Sequence, residues 1–161
     1  MSINVIRADY QNQQHAQDIV FLLNNYAADP AGGGKGLTEF VKQNLVSELA
    51  QLPYAFSLLA YIDENPAGLV NCFQLFSTFK CKPVVNIHDA VVCSQYRRQG
   101  LSQRLLAEVE TIARAKGACK ITLEVLEKNA PARKAYEKFG FAGYELDPEF
   151  GNAIFLEKNL S

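Results

Sequence analysis

The chain has 161 residues, the length of one domain of ordinary size, and residues 1–161 are expected to fold as one unit around one core. With 48% hydrophobic and 20% charged residues it has the balance of a globular protein, and it is long enough to need no metal or disulfide staple. A net charge of −1 excludes a nucleic-acid binder that works through bulk electrostatics.

The N-terminal residues carry no apolar leader core, and Ile3 to Arg7 reads as a short strand. From His15 to Ala28, the spacing of Ile19, Leu22, Leu23 and Tyr26 predicts a helix, which Asp29, Pro30 and the glycines at 32–34 and 36 terminate. Thr38 is placed to cap a second helix whose apolar stripe is Phe40, Val41, Leu45 and Leu49. Tyr54 to Ile62 and Ala67 to Phe76 predict two strands joined by the turn Asp63 to Pro66. After the break at Cys81 to Pro83, Val84 to Cys93 predicts another strand. Leu101 to Lys116 is an amphipathic helix with Leu105, Leu106, Val109, Ile112 and Ala113 inward and Gly117 as its stop. Ile121 to Leu126 is a strand, Pro131 to Phe139 a short helix stopped by Gly140, and Phe141 to Leu146 and Ala153 to Leu156 read as two closing strands. The expectation is a mixed α+β fold: a twisted, mostly antiparallel sheet of about seven strands flanked by about four helices. Cys72, Cys81, Cys93 and Cys119 match no metal or redox spacing and read as small apolar residues of a reducing compartment. No apolar run approaches the ~18 residues of a membrane span, so the protein is expected in the cytoplasm.

The segment richest in chemistry is Val91-Val92-Cys93-Ser94-Gln95-Tyr96-Arg97-Arg98-Gln99-Gly100-Leu101-Ser102. A strand enters a short polar turn and then a helix. The first amides of a helix lack intrahelical partners, and the helix dipole adds positive charge there, which suits a phosphate. Gly100 removes the Cβ that would obstruct close approach, and Arg97 and Arg98 add charge at the rim. The same turn also reads as an ordinary strand-to-helix connection with solvated arginines.

Arg97-Arg98-Gln99-Gly100-Leu101-Ser102 resembles the pyrophosphate loop Arg/Gln-x-x-Gly-x-Gly/Ala of the GCN5-related N-acetyltransferase (GNAT) family, with serine at the last position. The run from Leu123 through Asn129, Ala132 and Tyr136 to Gly140-Phe141 resembles the second half of that family's signature, and the likeness is sharp from Ile87 to Phe141. The resemblance implies acetyl-CoA as cosubstrate and no metal. It implies coenzyme contacts from Val91, Val92, Arg97, Arg98, Gln99, Gly100, Leu101, Ser102, Gln103, Asn129, Ala132 and Tyr136. A backbone amide near Val92 would stabilise charge on the reacting carbonyl, and Tyr136 would protonate the leaving thiolate. Tyr136 also reads as a packing aromatic, and Asn129 as a helix N-cap.

The base is expected on the strand before the loop. Alternation puts Asn86, His88, Ala90 and Val92 on one face, which favours His88; a bulge would bring Asp89 forward instead. The acceptor site, by resemblance, draws on Tyr26, Phe76, Thr78 and His88 and on the glycine-rich loop, which also reads as a flexible connector. A Walker reading of that loop fails, because Gly36 follows Lys35. The expected function is acetyl transfer from acetyl-CoA to a primary amine of a small molecule or peptide. The alternative is a non-catalytic acyl-CoA sensor on the same fold. No nucleic-acid or membrane partner is expected, and the family resemblance leaves room for a homodimer.

Overall fold

A computed structural model describes residues 1–144 and 147–161. The described elements run β1 (Ile3–Arg7), α1 (Gln13–Ala28), α2 (Glu39–Ala50), β2 (Ala55–Ile62), β3 (Asn65–Ser77), β4 (Lys82–Val92), α3 (Leu101–Ala115), β5 (Lys120–Leu123) and α4 (Ala130–Phe139). The sheet order is β1-β2-β3-β4-β5. The first four strands are antiparallel neighbours, and β5 joins β4 in parallel, with α3 as the crossover that a parallel pair requires.

β2 and the first half of β3 are apolar on both faces because both faces are covered. Phe56, Leu58, Ala60, Val70 and Cys72 pack with Leu101, Leu105, Leu106 and Val109 of α3. Leu59 and Leu69 point the other way, onto Ile19 and Leu22 of α1 and Val46 of α2. Asn12 and Thr38 cap α1 and α2 by accepting from the backbone N–H of His15 and Val41. α3 ends on Gly117 at φ +73°, where the Gly117 and Ala118 amides reach the carbonyls of Arg114 and Ala113. Among the described residues no helix is long and apolar enough to cross a membrane.

The sheet has five strands among the described residues, not the seven expected. Of the sixth expected strand, residues 145 and 146 lie outside the described residues, and residues 141–144 form no strand. The seventh, Ala153 to Leu156, is also irregular: a hydrogen bond from the Ala153 amide to the Tyr144 carbonyl at 3.2 Å links the two segments, and Ile154, Phe155 and Leu156 are exposed. Apolar content marks a segment that could be a strand, but a strand exists only where a neighbour takes up its amides and carbonyls.

Candidate active site

β4 pairs with β5 only as far as Ile87 opposite Leu123. It then runs five residues further, His88 to Val92, while the chain after Leu123 leaves the sheet. A gap therefore opens on that edge of β4. Cys93 donates its N–H to Ala67 on the β3 side. Successive residues send their backbone groups to opposite edges, so the N–H and C=O of Val92 face the gap.

At the start of the gap β4 bulges. Asn71 of β3 lies opposite Asp89 and Cys72 opposite Ile87, which leaves His88 without a partner in the ladder. The extra residue exchanges the faces. Val85 and Ile87 pack toward α3, and so do Ala90 and Val92, whereas Val91 packs toward α1. The simple alternation that grouped His88 with Ala90 and Val92 does not hold across this point. His88 lies largely in solvent, with its side chain 66% exposed, edge-on to Phe73 at 5.7 Å. Its Nδ1 stands 3.3 Å from Asp89 Oδ1, and Asp89 is mostly covered, at 19%.

At the far end of β4, Ser94–Tyr96 form one 3₁₀ turn, Arg97 is extended, and Arg98 and Gly100 adopt positive φ of 63° and 80°. Gly100 is the N-cap of α3 and contributes no side-chain cap, so the first-turn amides are left to whatever approaches from the turn. Leu101 is buried in the core and offers that turn only its backbone. Arg97 Nε donates to the Val92 carbonyl at 3.4 Å, and its Nη2 lies 3.8 Å from Asp29 Oδ2, so this guanidinium spans the gap between β4 and the loop after α1. Gln103 is turned to α4, where its amide donates to the Ala135 carbonyl at 2.9 Å.

α4 is set against this gap by its own ends. Asn129 accepts from the Ala132 N–H and caps the helix. Gly140, at φ +115°, closes the C-terminus, with the Phe141 amide bonded to the Tyr136 carbonyl. That closure folds the Phe141 ring edge-on to Tyr136 at 5.9 Å, which is what the Tyr-x-x-x-Gly-Phe spacing achieves. Burial raises the pKa of the Tyr136 hydroxyl, and the neighbouring Tyr26 hydroxyl adds to the rise. Burial likewise raises Tyr26, followed by the charges of Asp89 and Asp29. The end of α1 thus senses both the β4 bulge, through Asp89, and α4, through Tyr136.

The acetyltransferase (GNAT) family model matches residues 34–141, more than half of the chain and all of this gap. The chain belongs to that family. Its match to the glucosamine 6-phosphate N-acetyltransferase of Trypanosoma brucei brucei is 39% identical over 40% of this chain and 42% of that protein. Its match to the thialysine N-epsilon-acetyltransferase of Caenorhabditis elegans is 30% identical over 49% of each. The chain thus spans less than half the length of these curated relatives. Its fold is shared with the structure of AAC(6')-Iy in complex with the bisubstrate analogue CoA-S-monomethyl-acetylneamine, at a TM-score of 0.78 and 18% identity over 99% of both chains.

In this GNAT domain the predicted residues fall into two groups. Val91, Val92, Arg97 to Gln103, Asn129, Ala132, Tyr136, His88 and Tyr26 lie on the elements that border the gap. Phe76 and Thr78 do not. Phe76 pairs with Pro83, five strand positions from His88, or roughly 17 Å at ~3.3 Å per residue, and both side chains are exposed. The glycine-rich loop is built rather than slack: Asp29 accepts from the Ala31 N–H, Asn24 accepts from the Leu37 N–H, and a Cβ at Gly32 would lie 1.9 Å from the Tyr26 carbonyl oxygen. Sequence reading missed Asp29 as the partner of Arg97, and Ser57 and Asn71 as buried polar residues behind Asp89. The last two had a signal: each is a polar residue with apolar neighbours on both sides in its strand, a placement that requires a partner.

Proposed function

We propose that this chain is an acetyl-CoA-dependent N-acetyltransferase acting on a primary amine of a small molecule or peptide. The observation that carries the reading is the unpaired end of β4 running into the uncapped start of α3. A pantetheine arm has amides that suit an open strand edge, and a pyrophosphate suits helix N-terminal amides beside Arg97 and Arg98. Val91, Val92, Arg97, Arg98, Gln99, Gly100, Leu101, Ser102, Gln103, Asn129 and Ala132 would hold the coenzyme; for Gln103 the contact falls to the backbone, since its side chain is engaged with α4.

The thioester supplies an activated acetyl group. The amine nitrogen attacks its carbonyl carbon, the C–N bond forms, and the C–S bond breaks. The Val92 N–H faces the gap and is placed to stabilise the oxygen as it gains charge. His88, backed by the Asp89 carboxylate, takes the proton that the amine gives up. Tyr136 gives its proton to the leaving sulfur. A raised pKa keeps that hydroxyl protonated through the neutral range, as an acid must be before it acts. Phe76 and Thr78 would meet only the far end of an extended acceptor. The protein acts in the cytoplasm in this reading, and a homodimer is tested by sedimentation.

Thiol release from acetyl-CoA over a panel of amines tests the function. Tyr136→Phe is expected to lower kcat by roughly 10²-fold with the KM for acetyl-CoA little changed, since proton donation matters only as the bond breaks. Tight acetyl-CoA binding without turnover on any amine would instead establish the sensor.

A further inference from the structure

A line of hydrogen bonds crosses three neighbouring strands and ends on the β4 bulge. Tyr10 Oη lies 2.8 Å from Ser57 Oγ; Ser57 Oγ donates to Asn71 Oδ1 at 2.6 Å; Asn71 Nδ2 donates to Asp89 Oδ2 at 3.0 Å. Asp89 then presents its other oxygen to His88. Ser57 and Asn71 are buried, and neither contributes to the apolar clusters around it.

The donor order is forced. A carboxylate only accepts, so Asn71 must turn its amide nitrogen to Asp89 and its carbonyl to Ser57. The Ser57 hydroxyl must then donate to Asn71, which leaves its oxygen to accept from Tyr10. A reversed Asn71 would oppose two oxygens in a dry site and leave a buried group unsatisfied, which is costly. Such a line, satisfied at every step, permits one arrangement. Two ionisable groups that sense Asp89 are neutral: Tyr26 from α1, raised by burial and then by Asp89, and Cys72 from β3, whose thiol is pushed up to about 12 by the same two causes. Among the described residues, the basic side chain within salt-bridge reach of Asp89 is His88.

We propose that Asn71, held by Ser57 and Tyr10, is a positioning residue that fixes the Asp89 carboxylate against His88 and so orients the amine-accepting imidazole. This rests on the reading of His88 as that base. It departs from a core-filling role for Ser57 and Asn71, because the polarity of the line is directed at one carboxylate oxygen.

The test is the acid limb of kcat/KM against pH in the full-length protein. Asn71→Asp keeps the acceptor for Ser57 but sets a second carboxyl against Asp89; the buried pair keeps one proton between them, and the Ser57 donor draws the charge to the introduced carboxyl, which disfavours protonated His88. The limb is expected to move to lower pH by on the order of half a unit, with the KM for acetyl-CoA unchanged. Ser57→Ala is expected to lower kcat/KM several-fold and shift the limb, and Ser57→Thr to restore both. These two variants serve if Asn71→Asp does not fold. A folded Asn71→Asp, or failing it Ser57→Ala, with the wild-type limb overturns the positioning role. His88→Ala separates this from the underlying reading: if it retains the limb, His88 is not the base and both proposals fall.

Discussion

Gly100 occupies a backbone conformation at φ +80° that side chains with a Cβ adopt at a cost of about 1 kcal/mol or more. A Cβ built there meets nothing within 4 Å, so packing does not demand the glycine. What the position does demand is open access to the first amides of α3, which have no side-chain cap. Gly100→Ala is expected to lower acetyl-CoA affinity by roughly tenfold, about 1.4 kcal/mol, with the melting temperature down only a few degrees. Calorimetry beside thermal melts checks both; an unchanged affinity places the pyrophosphate elsewhere. Valine is a poorer probe, because a β-branched side chain at positive φ adds strain to any loss of binding. Tyr136 is positioned by equally local means, through the Gly140 stop that folds Phe141 back onto its ring.

At the scale of elements, α3 lies close on the sheet because β3 offers it a glycine. A Cβ at Gly68 would stand 3.0 Å from Leu105 Cδ1 and 3.1 Å from the Val91 carbonyl oxygen. The second contact is backbone of β4 and has little room to retreat. Gly68→Ala is expected to destabilise the fold by about 1–3 kcal/mol, measured by urea unfolding. Wild-type stability in that variant would mean that α3 can lift from the sheet. The same close packing ties the end of β4 to the start of α3, so the open strand edge and the uncapped helix start keep a fixed separation. The bulge belongs to this scale as well. It is a property of the β3–β4 pair, and neither strand carries it alone.

Across the whole molecule, Tyr10, Tyr26, Tyr61 and Tyr136 all have pKa values raised above the usual 10, in each case first by burial. A group whose folded pKa is raised is equally protonated in both states below pH 10 and adds no pH dependence there. Above pH 10 the unfolded chain ionises while the folded one resists, so stability falls as pH rises through the folded values. The melting temperature is expected to change little between pH 7 and 9 and to drop steeply above pH 10. Circular-dichroism melts across that range check it, and a flat profile to pH 11.5 would show that these phenols ionise in place.

Much of this architecture is legible in the sequence because its causes are local. Thr38 caps α2, Gly117 and Gly140 stop α3 and α4, and the turn from Arg97 to Ser102 joins strand to helix, each through contacts within about five residues. The places of Tyr136 on α4 and of the loop glycine Gly100 follow from the same short motifs. Strand number was not legible, since residues 153–156 have strand-like apolar content but form no strand among the described residues. The face exchange at His88 was legible only as the alternative a bulge would bring, and the salt contact of Arg97 with Asp29 and the line from Tyr10 to Asp89 were not legible. These depend on which residues oppose one another across strands, and register is a relation between distant segments that one extra residue inverts. Sequence alone determined the helices, their ends and the turn that leads into α3; only the tertiary structure decided which side chains stand behind the open end of β4, because that depends on strand register.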